Sequence, residues 1–599
     1  MPVTVRQRSF YNKNGSKKTA ALSKGTRKLN EGVFSEYGEY LVTDAPTDLR
    51  GLAYPGGAMA LGLLLVARIL SAIYGIIADC DETYNYWEPL HYIIYGTGLQ
   101  TWEYSPSFAI RSYTPLWLFA LPGKLLSWIM APVTVFYSLR VLLAIFSSVA
   151  ELMFYKAICH EFGVNVGRVW LLVTLPLAGM FLCSAAMLPS AWSNALVSAA
   201  LACWWRRRYP SAIFLTAFSA IISWPFTALL GLPIAIDMLF IKRQIFDFIK
   251  WSVISFLVLL LPTVAIDSWY YGKLTIAPWN IVVYNIFTEH GPSLYGVEPW
   301  TYYFVNGFLN FNVVWAYGLA CPIQLMICVG MIPKAQHRAS FCAPYWLDLM
   351  PMLLWLLVFM FQPHKEERFL YPIYSLIVLA CAITLDCMQK MLYAAGTEIF
   401  RWEKAIAKRH YLEFSTQILT LCATVAWLGG ISRICALYTN YHGSMTILSN
   451  LPPAPDTTIP LNVCFGKEWY RSPSSFHLPP SYVTRFIASE FDGQMPAPFS
   501  TQHNATRLTP PHFNDQNKGD NRTYLTPNQC HYLVDSDIGN PSELQPPYYK
   551  DSSWQIVATV PLLDSSKSNK FYRAFYIPFL SNKNTVFGNL YLLKNKVVI

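Results

Sequence analysis

The chain is organised by long, nearly uncharged stretches, which restrict what it can fold into. Ala58–Ala78 has the length needed to cross hydrocarbon about 30 Å thick. Val133–Ala157, Trp251–Asp267, Val313–Met331, Tyr345–Phe361, Leu370–Met388 and Phe414–Leu437 do so again. Val169–Ala186 and Leu188–Trp205 are separated at Pro189, and Ser211–Phe240 reads as a helical hairpin broken near Trp224-Pro225. Only 13% of the 599 residues are charged and 54% are hydrophobic, against roughly 25% charged in soluble domains. A polytopic α-helical membrane protein of about 8–11 helices is expected. The net charge of +10 is scattered through short loops, a pattern that sets membrane orientation and does not line a nucleic-acid groove.

Residues 1–54 are polar and basic, from Arg6 to Lys28. They read as a cytoplasmic tail, largely disordered, with no apolar stretch of signal-peptide type. The first span is then a signal anchor, and the Asn14 sequon stays unused. Residues 55–437 form the multi-span part, with far-side loops at 79–113 and 268–312. Arg206-Arg207-Arg208 marks the cytoplasmic side. That mark fits the span count if Tyr113–Ala131, interrupted by Pro115, Pro122 and Lys124, does not cross; if it crosses, a later segment must be re-entrant.

Composition shifts at about Tyr438. Pro, Ser, Asn and Tyr rise and alternation appears in YVTRFIASEF, TYLTP, WQIVATVPLL and AFYIPF, so 438–599 reads as a β-rich soluble domain on the luminal side. Asn504 and Asn521 open sequons there. Cys464 and Cys530 are its two cysteines, a disulfide candidate in an oxidising compartment. The 13 cysteines show no metal-ligand spacing, and no metal or cofactor is expected.

Two charged constellations fall on the same far side. Asp79, Asp81, Glu82 and Glu88 sit among Tyr84, Tyr86 and Trp87 directly after the first span, and PHKEERFLYP places His364, Lys365, Glu366, Glu367 and Arg368 between two apolar segments. Solvated loop acids and a charged turn are the plain readings. Charges next to hydrocarbon are costly, however. A carboxylate beside a cationic clamp suits group transfer from a lipid-phosphate donor: the acid deprotonates an acceptor hydroxyl, and the cations meet the departing phosphate. A transporter would place acids mid-helix with partners, and Asp237, Asp267 and Asp386 lie near span ends instead. A non-catalytic assembly protein would explain the luminal domain and not the charged motifs.

DCDETYNYWEP at Asp79–Pro89, QTWEYSP at Gln100–Pro106, AIRSY at Ala109–Tyr113, HKEERFLYP at His364–Pro372 and CFGKEWYRSPSSF at Cys464–Phe476 together resemble the dolichol-phosphate-mannose-dependent mannosyltransferases of glycosyltransferase family twenty-two, nearest to those that act in N-glycan precursor assembly. The related enzymes open on a different, HPDE-type acidic motif. The resemblance implies a GT-C glycosyltransferase fold in the endoplasmic reticulum membrane. It implies dolichyl-phosphate mannose as donor and a dolichyl-pyrophosphate-linked oligosaccharide as acceptor, joined through α-1,2 linkages by an inverting displacement that needs one base. By motif position Asp81 is that base, with Asp79 and Glu82 as alternatives. His364, Lys365 and Arg368 would bind donor phosphate, with Glu366 and Glu367 fixing them or facing substrate. Arg111 is a further phosphate candidate, or an interfacial anchor, and Trp87 and Glu88 join the substrate-binding set.

Overall fold

The computed structural model describes residues 54–288, 292–331, 344–403, 406, 409–453 and 459–598. The basic tail up to residue 53, with its Asn14 sequon, lies outside them.

Among the described residues, five helices are long and apolar enough to cross a membrane: Gly57–Tyr74, Pro132–Glu161, Ile245–Tyr271, Glu367–Glu398 and Ser415–Tyr441. Two bent pairs have the same composition, Val164–Thr174 with Ala178–Ala185 at 78° and Tyr302–Phe311 with Val313–Cys328 at 116°. Pro189–Trp205, Tyr209–Ser223, Pro225–Ile241 and Tyr345–Phe361 are shorter apolar helices. Pro132 and Pro189 each stand at a helix start, where a missing N–H costs no bond. Pro176 lies at the first bend, and the last helix crosses there so closely that a Cβ on Gly430 would sit 2.1 Å from the Pro176 carbonyl. The helix after Glu367 is enclosed by the others, while Ile245–Tyr271 turns Phe246, Phe256 and Leu261 outward, as a lipid-facing surface requires.

Thr114–Leu126 has 13 residues, about 20 Å of helix and short of a full crossing. It begins against Asp267, at the end of Ile245–Tyr271. The next helix starts on the same face, where Phe136 packs against Phe476 and His477. The segment therefore returns to the face it left.

The C-terminal part is built on a six-stranded sheet. With β1 Leu99–Gln100, β2 Leu461–Phe465, β3 Tyr482–Ile487, β4 Ala497–Pro498, β5 Tyr524–Leu525, β6 Tyr532–Ser536, β7 Trp554–Leu563 and β8 Phe587–Asn595, the order is β5-β3-β2-β6-β8-β7. β5, β3, β2 and β6 run parallel, and β8 is antiparallel to β6 and β7. Alternation sends Val463 and Phe465 to one buried face and Cys464 to the other, where Cys464 is bonded to Cys530. The alternating stretch AFYIPF is not a strand. Its first residue ends the short helix Lys570–Ala574 and the rest docks on the last membrane helix, with Tyr576 N–H donating to Ser432 O at 3.0 Å. Those backbone groups are satisfied by a helix-borne partner instead of a ladder. β1, from the first far-side loop, pairs with β4, so this loop and the C-terminal domain form one surface. Asn504 and Asn521 are exposed on that domain.

Candidate functional site

Asp79 caps a one-turn helix, Cys80–Glu82, by accepting the Asp81 N–H at 2.9 Å. The cap aims the Asp81 carboxylate outward from the end of the first membrane helix. The turn continues as a π-helical step, Thr83–Trp87, a geometry often found at functional sites.

Arg368 reaches this turn from the far end of the sequence. Its Nη2 lies 2.6 Å from Asp81 Oδ2 and its Nε 3.2 Å from Asp79 Oδ2, and Nε also contacts Glu366. Arg111 comes in from the other side, 4.0 Å from Asp81. A carboxylate sequence reasoning had passed over, Glu103, holds Arg111 through two bonds at 2.9 and 3.1 Å, and Arg111 Nη1 donates to the Tyr86 hydroxyl at 2.7 Å. Glu103 lies inside QTWEYSP, and an acid among buried aromatics was its signal. Asp81 thus sits between two guanidiniums with its side chain 33% exposed, more open than Asp79 at 25%.

The electrostatics separate the acids. Burial raises the Asp79 carboxyl, Arg368 opposes the rise, and Asp81 and Glu366 add to it, bringing it to about 7. Burial also works against ionised Glu366, but Arg368 and His364 outweigh it and hold that carboxyl down to about 2. His364 is raised by the same contact. Its Nε2 meets Glu366 Oε1 at 3.1 Å and its Nδ1 meets the Gly296 carbonyl at 2.9 Å.

Five other expected residues are placed differently. Glu82 is buried with its carboxylate turned into the bundle, accepting from Trp87 Nε1 and from the Met187 N–H, each at 3.0 Å. A base needs reach to the acceptor hydroxyl, and Glu82 is enclosed away from it. Trp87 is fully buried against Phe136, with ring centroids 4.3 Å apart, so it braces the turn and offers no surface to a substrate. Glu88 is buried as well and bonds to Ser475 and Leu99. Lys365 is 6% exposed and spends two of its three donors on the Glu298 and Gln362 carbonyls. Glu367 accepts from Asn306 Nδ2 at 2.9 Å.

A mid-span acid with a partner also exists. Glu151, inside Pro132–Glu161, is bonded by Arg68 of the first helix at 3.0 and 3.1 Å, both buried. The sequence shows the two residues 83 positions apart, and only helix packing brings them together.

Asp79, Cys80 and Asp81 place three potential ligand atoms within 4.8 Å of one another. Arg368 already pairs with both carboxylates there.

A model described as the Alg9-like mannosyltransferase family matches residues 59–479. The chain is 45% identical over 551 residues to the α-1,2-mannosyltransferase Alg9 of Drosophila melanogaster, covering 90% of this chain and 88% of that protein. It has the same identity to the α-1,2-mannosyltransferase ALG9 of Homo sapiens, covering 90% and 89%. Identity to that of Saccharomyces cerevisiae is 32%, covering 86% and 91%. Among solved structures, ArnT from Cupriavidus metallidurans bound to undecaprenyl phosphate is similar with a TM-score of 0.46 and 13% identity, over 72% of this chain and 85% of that one.

Proposed function

The chain belongs to the Alg9-like mannosyltransferase family, and we infer from that membership and from the site that it is an α-1,2-mannosyltransferase of N-glycan precursor assembly. The GT-C fold goes with this reading. The donor we propose is dolichyl-phosphate mannose and the acceptor a dolichyl-pyrophosphate-linked oligosaccharide, met at the luminal face of the endoplasmic reticulum membrane. The charged turns at the ends of apolar helices support a lipid-borne donor, because they put polar chemistry where a headgroup lies. The observation that carries the reading is the Asp81 carboxylate, one-third exposed and held between Arg368 and Arg111.

In the proposed step Asp81 takes the proton of an acceptor hydroxyl as its oxygen attacks the anomeric carbon of mannose from the face opposite the phosphate. The carbon–oxygen bond to phosphate breaks, and dolichyl phosphate leaves with the electron pair. Configuration inverts, so no second carboxylate is required as nucleophile. Arg368 pairs with the acid and His364 pairs with Glu366, which Arg368 also holds; both would meet the charge growing on the phosphate. Arg368 would exchange one of its three carboxylate partners for the phosphate. Arg111, tied to Glu103, would hold Asp81 in place.

Asp81→Asn tests the base. Transfer should fall by about 10²–10⁴-fold, the range that a positioned base contributes, with the heat-denaturation midpoint unchanged. Transfer at the wild-type rate would remove Asp81 from the role.

A transporter reading gains nothing from the buried Arg68–Glu151 pair, which joins two helices and has its carboxylate occupied.

A further inference from the structure

Behind the Asp81 cluster, three elements meet and leave polar atoms without partners. They are the segment from Glu367 into the enclosed helix, the helix Tyr302–Phe311, and the last helix, Ser415–Tyr441. Glu367 Oε1, Asn310 Oδ1, Tyr374 OH and Arg433 Nε are all buried there with no hydrogen-bond partner among the described residues. Asn310 is 2% exposed and Tyr374 1%.

Contacts fix their adjacency. Asn306 Nδ2 donates to Glu367 Oε2 at 2.9 Å, and Asn310 Nδ2 donates to Asn306 Oδ1 at 3.3 Å. The Phe311 ring stands edge-on to Tyr374, with centroids 4.6 Å apart. Arg433 is anchored by Nη1 on the Ala574 carbonyl at 3.1 Å, beside Phe575, whose ring centroid lies 6.3 Å from that of Phe308 in the helix Tyr302–Phe311. Buried polar groups are nearly always satisfied in native proteins. Four unsatisfied ones at one junction point to something that binds there.

The chemistry of the set selects the ligand. A carboxylate oxygen and an amide oxygen accept, a guanidinium donates, and a phenol does both. A phosphate only accepts, so Glu367 and Asn310 Oδ1 would repel it, and an alkyl chain would leave all four atoms unpaired. Vicinal sugar hydroxyls donate and accept together, as this set requires. We propose that Glu367, Asn310, Tyr374 and Arg433 form a sugar-hydroxyl subsite for a pyranose ring, distinct from the Asp81 cluster that moves the proton. This rests on the mannosyl-transfer reading and adds to it the place where non-reacting hydroxyls are held. The sugar belongs either to the donor or to the acceptor.

The test uses the full-length protein in detergent, with Tyr374→Phe and Glu367→Gln. Tyr374→Phe removes a hydroxyl that has no hydrogen-bond partner among the described residues, so the ligand-free denaturation midpoint should hold or rise. Glu367→Gln keeps an oxygen for Asn306. Binding of dolichyl phosphate and of dolichyl-phosphate mannose is measured by calorimetry, and KM for the oligosaccharide by transfer. The subsite predicts about tenfold weaker binding of dolichyl-phosphate mannose in either variant, the loss of one good hydrogen bond, with dolichyl phosphate unaffected. A rise confined to the oligosaccharide KM also supports the subsite and assigns the sugar to the acceptor. Equal weakening of both lipids would overturn it, as would unchanged binding and KM in both variants. A wild-type protein that transfers no mannose would overturn the transfer reading and this subsite with it, independently of either variant.

Discussion

Glu88 Oε1 accepts the backbone N–H of Ser475 at 2.6 Å, across 387 positions of chain. Its second oxygen takes the Ser475 hydroxyl and the Leu99 N–H, each at 2.9 Å. Around this contact Thr83 Oγ1 donates to the Ser472 carbonyl at 3.0 Å, Tyr84 OH donates to the Trp469 carbonyl at 2.6 Å, and Phe476 packs against Trp87 and His91. The segment that carries Asp81 is thereby latched to the C-terminal domain, which serves as part of the site's scaffold.

Glu88→Ala should therefore loosen both. It leaves the Ser475 and Leu99 N–H groups buried without an acceptor, at about 1–3 kcal/mol for each. Heat denaturation in detergent should show a lower midpoint together with slower transfer. A midpoint equal to wild type would mean that the latch carries no load.

Asp79 gives a pH dependence. Its carboxyl is raised from 3.8 to about 7, by burial first. An acid raised in the folded state favours folding in its protonated form. Its contribution to stability is complete below pH 3.8 and is lost as the pH rises through about 7. Transfer runs the other way, since the ionised pair around Arg368 is the form that draws a proton. kcat/KM should climb with pH through an inflection near 7, and Asp79→Asn should remove that inflection. A variant that keeps it would assign the titration to another group.

The buried Arg68–Glu151 pair predicts a large structural effect with no chemistry attached. Glu151→Gln leaves the Arg68 charge enclosed and poorly paired, a loss of about 3–5 kcal/mol. Replacing both residues by methionine should cost far less. Denaturation midpoints of the two variants compare these directly, and equal losses would contradict the pairing.

How much was legible in the sequence follows from which signals are local. The spans at Pro132–Glu161 and Ser415–Tyr441 were visible because about 20 apolar residues in a row have one economical home. Strands β3, β5 and β7 showed as alternation, whereas β2 and β6, buried on both faces, lose that pattern. AFYIPF alternates and is not a strand, because its partner is a helix carbonyl. At the site, Asp81 and Arg368 stand out from their motifs, and the structure brings the two together at 2.6 Å. Glu82, Trp87, Glu88 and Lys365 lie in the same motifs, yet brace the turns. Motif membership does not distinguish a carboxylate facing solvent from one facing a tryptophan N–H; only burial does. Glu103 and Ser475 entered through contacts that no spacing records.

The central claim is mannosyl transfer from a lipid-phosphate donor. The direct measurement supplies the purified protein with dolichyl-phosphate mannose and lipid-linked oligosaccharides of increasing mannose number, then reads product mass and sensitivity to an α-1,2-mannosidase. The site and the family predict one added hexose on a defined acceptor, removed by that mannosidase. Folded protein that adds no hexose to any of these acceptors, or adds one the mannosidase cannot remove, would contradict the account.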